Sequence, residues 1–374
     1  RFSNVRRKGN VRTKLLYLPA EARKLLSAYL EEERPQDDDG SGYLFLPTSG
    51  TAPLTRRQIH KLLVRIAEEA TKRGRPTKRE EVLVTMGAKH ALTQSLLTIV
   101  DQGDEVIFPN PGYPPDEFWI TYAGGRVVYA PLVEPDYHFD LDSLRSLITP
   151  RTKMLIINSP QRPNGMVVGQ LEEIAALCTE HGVTVLTDEI FSHMVYSPAQ
   201  HKTIAAVEGM ADRSVLVDTF SKTYIMTGFR IGWCVASQEL ITTMDIFQQN
   251  SVTNVPAFVQ LAALAAITGP QDHVEETTAR LRAKRDKTVA ALNAMDGVEC
   301  PTPDGSFYVF PDIRGTGMTA QQFADYLIEN YQVGVVAGSA FGDQGEGHVR
   351  VTYAAPDDVL EEGLDRIRQG VENL

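Results

Sequence analysis

Cysteine is scarce in this chain of 374 residues. Only Cys178, Cys234 and Cys300 are present, far apart in sequence. An odd count without a C-x-x-C pair excludes a disulfide framework and the usual zinc spacings. Reduced, buried thiols in a cytoplasmic protein are the expectation. No apolar run approaches the roughly 20 residues that cross a bilayer. The N-terminus, Arg1-Phe2-Ser3-Asn4-Val5-Arg6-Arg7-Lys8, has no apolar stretch behind its charges, so no secretory signal is read there. Internal repeats are missing too. Low complexity is confined to the acidic stretch 31–42, with Pro35, Gly40 and Gly42, which reads as an exposed loop.

What is present belongs to an ordinary globular protein, with 43% hydrophobic and 23% charged residues. The net charge of −11 is uneven: residues 1–79 hold 18 Lys/Arg against 9 Asp/Glu, leaving 19 against 39 for the remainder. Such a swing points to two segments of different character, the basic one either a solvated face or a contact for nucleic acid. Within it, Pro19–Leu30 and Leu54–Ala70 have helical spacing and Tyr43–Leu46 reads as a strand. Arg73-Gly74-Arg75-Pro76-Thr77 reads as a linker that closes the segment.

From Glu80 onward, strands alternate with helices. Val82–Thr85, Glu105–Phe108, Arg126–Tyr129, Met154–Ile157, Val183–Thr187 and Ser214–Thr219 are short apolar runs rather than alternating ones. Strands buried on both faces have this pattern, so an α/β fold with a mostly parallel sheet between helices is expected over 80–272. A long helix, Val274–Met295, leads into a smaller C-terminal α/β domain over 273–374.

Several reactive residues follow the ends of these strands, where an open parallel sheet binds ligands. Ser221-Lys222 precedes the Gly-rich Gly228-Phe229-Arg230-Ile231-Gly232. A desolvated lysine there would be a nucleophilic amine able to form a Schiff base. Arg230 offers a fork of donors for a phosphate and Thr219 a hydroxyl. Asp188 ends an apolar strand, and a buried carboxylate needs a cation, such as a protonated pyridine nitrogen, unless it merely caps a helix. Gly87-Ala88-Lys89 stands where a strand turns into a helix, a ready anion site in its backbone N–H groups. Tyr113, in a proline-rich turn, could stack on a cofactor ring or pack a loop. Arg350 interrupts a strand and would either grip a carboxylate or face water.

These residues lie in TMGAKHAL (85–92), PNPGYPP (109–115), NSPQRPNG (158–165), TDEIF (187–191), DTFSKTYIMTGFRIGW (218–233), GSFYVF (305–310) and GSAFG with HVRVTYA (338–342, 348–354). In order and spacing the set resembles the class I/II aminotransferases of pyridoxal phosphate (PLP) fold type I, over roughly three quarters of the chain. The resemblance implies amino transfer between an L-amino acid and a 2-oxo acid through an aldimine on Lys222, with Asp188 at the pyridinium nitrogen. It implies Tyr113 stacked on the ring, and Thr219, Arg230 and the Ala88/Lys89 backbone on the phosphate. Arg350 would hold the substrate α-carboxylate. A homodimer is implied, and no membrane partner.

This chain departs from that pattern at two positions. The family motif N-P-T-G has asparagine where Arg162 stands, and D-E-I-Y has tyrosine where Phe191 stands. Both family residues donate to the cofactor O3′. Phe191 cannot, so Arg162 is expected to replace both, and it joins Arg350 as a candidate for the substrate. The family's N-terminal arm is not recognisable. Residues 1–70 instead resemble a fragment of a tyrosine recombinase catalytic domain, at Arg7–Lys14 and Tyr43-Leu44-Phe45, without that family's catalytic residues. Two alternatives stay open: other PLP chemistry (β-elimination, decarboxylation or oxidation), or an inactive or nucleic-acid-binding fusion.

Overall fold

A strand buried on both faces sends alternate side chains into two separate cores. The computed structural model, which describes Val5–Arg6, Arg12–Thr13 and residues 56–374, has this arrangement. The first two stretches form strands β1 and β2, paired antiparallel on either side of Arg7–Val11. The helix read over Pro19–Leu30, the acidic loop, the strand Tyr43–Leu46 and the rest of the recombinase-like stretch lie outside the described residues.

By contacts, residues 1–58 and 59–374 divide into two compact units. In the larger one, eight strands make a sheet: β3 (Val82–Thr85), β4 (Glu105–Asn110), β5 (Arg126–Val133), β6 (His138–Phe139), β7 (Thr152–Asn158), β8 (Thr184–Asp188), β9 (Ser214–Thr219) and β10 (Gly232–Val235). Their order is β3-β10-β9-β8-β7-β4-β5-β6. The centre, from β9 to β5, is parallel; β10 runs antiparallel to both neighbours, as β6 does to β5. Strand β10 starts at Gly232, the last residue of the Gly-rich segment, and was not assigned from the sequence. Only its pairing with β3 and β9 makes it a strand.

In β7, Met154 and Ile156 join one core with Val106, Leu186 and Val217, whereas Leu155 and Ile157 join another with Ile107, Val185 and Ile174. Full burial of each such side chain contributes about 1.5–3 kcal/mol. Helix α1 (Arg56–Lys72) packs Leu62, Ile66 and Ala70 against Val82, Val84, Leu216 and Trp233. The stretch read as a linker after it is anchored at two points: Arg75 is fully buried, and Arg73 enters a buried ion network. The C-terminal part packs helices Asp272–Asn293, Ala320–Tyr331 and Asp357–Glu372 with a three-stranded antiparallel sheet that includes Val349–Thr352. Among the described residues no helix is long and apolar enough to cross a membrane.

Candidate active site

The carboxyl ends of the parallel strands converge on a cavity of about 300 Å³ lined by Ala88, Lys89, Tyr113, Arg162, Asp188, Phe191, Thr219, Ser221, Lys222, Arg230, Tyr308 and Arg350, among others. Every site residue named from the sequence therefore borders one space. Of its ionisable lining, Lys89, Arg162, Lys222, Arg230 and Arg350 are cationic and only Asp188 is anionic. A cavity so charged favours a ligand with several negative charges.

Lys222 lies in the short helix Phe220–Thr223 directly after β9. Its Nζ sits 4.8 Å from the centre of the Phe307 ring and 5.9 Å from that of Phe191. Burial, followed by the positive charges of Arg162, Arg230 and Arg350, lowers its pKa, with Asp188 opposing. The amine is thereby easier to deprotonate, as a nucleophile requires. Phe191, in the place of the family tyrosine, is buried edge-on against Phe307 and helps form this apolar wall.

The phosphate end is built on a glycine. Gly87 has φ of 81° and caps the helix Ala88–Ile99 without a side chain of its own. A Cβ at this position would lie 2.7 Å from Arg230 Nη2. The absence of that atom lets the guanidinium lie beside the helix start, where its donors and the helix's free N–H groups can face one anion, with Arg230 itself held through Nη1 to the Thr227 carbonyl at 2.9 Å. Thr219 lines the cavity, its hydroxyl 2.9 Å from the Ile231 carbonyl and 3.0 Å from the Ser221 Oγ, either of which can take its proton, and it accepts the Ser221 N–H at 3.1 Å. Ser221, given no role of its own from the sequence, brings a second hydroxyl to the cavity, 3.0 Å from that of Thr219.

Asp188 is fully buried at the end of β8, its Oδ1 accepting the Ile190 N–H at 3.3 Å. Burial raises its pKa, and Arg162 pulls the other way. Arg162 is engaged by three neighbours. Its Nη2 donates to Asp188 Oδ2, its Nε to Asn158 Oδ1 at 3.3 Å, and its guanidinium carbon lies 3.6 Å from the centre of the Tyr113 ring. Burial alone would lower the pKa of this guanidinium, but Asp188 leaves it raised. Behind the site, Arg73 binds Asp218 at 2.7 Å and approaches Glu189 at 3.7 Å, while His201 lies 2.9 Å from Glu189. This network ties α1 to the ends of β8 and β9. Nothing local in the sequence marks it, because its members are far apart along the chain.

Arg350 is half-buried, with its guanidinium carbon 4.3 Å from the centre of the Tyr308 ring and 5.0 Å from that of Phe341. Among the described residues it has no carboxylate partner. Tyr308, missed in the sequence reading, thus lines the cavity and supports Arg350 at once.

Comparison with known proteins gives the same picture. A family model described as aminotransferase class I and II matches residues 17–367. The aspartate aminotransferase of Pyrococcus abyssi is 37% identical over 295 residues, covering 78% of this chain and 76% of that protein. The aromatic-amino-acid aminotransferase 2 of Thermococcus litoralis is 34% identical, covering 78% and 76%. Among solved structures, an aromatic aminotransferase from Pyrococcus horikoshii superposes with a TM-score of 0.82 at 36% identity, covering 84% of this chain and 86% of the other.

Proposed function

We propose, for a chain that belongs to the class I and II aminotransferases and so works with PLP, that the cavity below Lys222 is where it moves amino groups between L-amino acids and 2-oxo acids. The observation that carries this reading is the placement of the Lys222 amine and the Asp188 carboxylate on one small cavity, with guanidinium groups beside it. The residues fit the cofactor. Gly87 leaves room for Arg230 at a helix N-terminus, which suits a phosphate. Tyr113 and Asp188 already hold a planar cation between them, which suits a pyridinium ring. When bound, PLP supplies an aldehyde to carry the amino group and a ring that accepts the electron pair from the breaking Cα–H bond.

The chain's own residues do the rest. Lys222 attaches the cofactor through Nζ and is the base that removes and returns the proton at the substrate Cα. Asp188 keeps the ring nitrogen protonated. Arg350 receives the substrate α-carboxylate as a bidentate fork, oriented by the Tyr308 face. Arg230, Thr219, Ser221 and the Ala88/Lys89 N–H groups hold the phosphate. Phe191, Phe307 and Tyr308 keep water from the reacting carbon. Aspartate and aromatic amino acids, on which the named relatives act, are the donors to test first. We read the working form as a cytoplasmic homodimer. Exposed Phe118 and Tyr122, stacked on the helix Pro114–Tyr122, leave an apolar patch that a second copy would cover.

The test is spectroscopic. Adding an L-amino acid to the PLP-loaded chain is expected to bleach its visible absorbance, and a 2-oxo acid to restore it. Lys222→Ala is expected to abolish both changes. Ammonia release without an acceptor, or full turnover in Lys222→Ala, would refute the reading.

A further inference from the structure

A pyridinium ring and a guanidinium group share three properties: both are flat, both are cationic, and both bind an aromatic face and a carboxylate at the same time. In this protein the guanidinium of Arg162 does both. It lies against Tyr113, with its carbon 3.6 Å from the ring centre, and donates to buried Asp188. Asn158 fixes the residue from below, its Oδ1 accepting the Arg162 backbone N–H at 2.7 Å and Nε at 3.3 Å. The side chain is only 9% exposed, so this is an interior contact.

These are the contacts assigned above to the cofactor ring, and one space cannot hold both. We infer that Arg162 is a built-in substitute for the cofactor ring: it neutralises Asp188 and packs Tyr113 in the cofactor-free protein, and PLP must displace it to bind. The inference rests on the reading of the cavity as the PLP site. Its physical logic is competition. A buried carboxylate without a cation is costly, so the substitute stabilises the apoprotein. For the same reason it reduces the apparent affinity for PLP by the fraction of molecules in which Asp188 is free. The displaced guanidinium has a second carboxyl nearby. Asp116 lines the narrow space under Tyr113 together with Arg162 and Asn158, and its charge acts on Arg162.

The experiment compares wild type with Arg162→Asn and Arg162→Gln. The glutamine variant keeps more of the side-chain volume if the smaller residue folds poorly. Apoprotein is titrated with PLP by equilibrium dialysis, and its thermal unfolding is followed without and with PLP. Removing the competitor is expected to tighten PLP binding about tenfold or more while lowering the unfolding temperature of the apoprotein. The Tm increase on PLP binding would then be larger in the variants than in wild type. Equal or weaker PLP binding in the folded variants overturns the substitution. Failure of wild type and variants alike to bind PLP overturns the site assignment instead, a different result from the same assay.

Discussion

Substituting Gly87 with alanine tests the phosphate cradle, and two separate effects follow from geometry. The backbone of Gly87 has φ of 81° and ψ of 166°, a region that side chains with a Cβ avoid. Holding alanine there costs about 1–3 kcal/mol of stability. The new Cβ would also stand 2.7 Å from Arg230 Nη2 and 3.3 Å from its Cζ. The guanidinium is the far end of a flexible side chain, so it moves rather than the turn. Moving it loses a charge-assisted hydrogen bond to the phosphate, worth about 1.5–3 kcal/mol. That is a weakening of PLP binding of about 10- to 150-fold. Urea unfolding of the apoprotein reads the first effect, and PLP titration reads the second. In the Arg230→Lys background the alanine should cost much less affinity, since the displaced group is already gone. Loss of stability with PLP affinity within twofold of wild type would refute the cradle, leaving only turn strain.

Two further outcomes are expected. Burial, then the charge of Asp188, raises the Asp116 pKa to about 7, above the value near 4 of an unfolded chain. The fold therefore binds more protons than the unfolded chain between about pH 4 and 7, and stability falls as pH rises through that window. Asp116→Asn should remove the fall and leave the variant more stable than wild type above pH 7, by about 1–4 kcal/mol; parallel stability–pH curves would count against it. Arg350→Gln should raise the KM for the amino donor about 10- to 150-fold with a smaller change in kcat, whereas an unchanged KM would place the α-carboxylate elsewhere.

Much of this architecture is legible in the amino-acid sequence. The runs Val82–Thr85 and Ser214–Thr219 are strands with those same bounds, because a strand buried on both faces announces itself through uninterrupted apolar residues. Gly232–Val235 was not legible. Its glycine and its place after a turn hide it until β3 and β9 pair with it on both sides. A Cβ on Gly232 would lie 2.7 Å from the Ala88 nitrogen, so glycine is there for close approach rather than for a turn. Arg73, in an apparent linker, became an anchor of the site for the same reason: its partner Asp218 is 145 residues away.

By itself, then, the amino-acid order determined the class of fold, the strand ends that carry the chemistry, and the set of reactive side chains. Each of these depends on local pattern: apolar runs, the residue that ends them, and the spacing of short motifs. Tertiary structure alone decided which of those side chains remain free to act. It brought Ser221 and Tyr308 into the cavity and placed the Arg162 guanidinium between Tyr113 and Asp188. Hydrogen bonds and ion pairs of that kind depend on distances of a few ångströms between residues distant in sequence, and only the folded chain sets those.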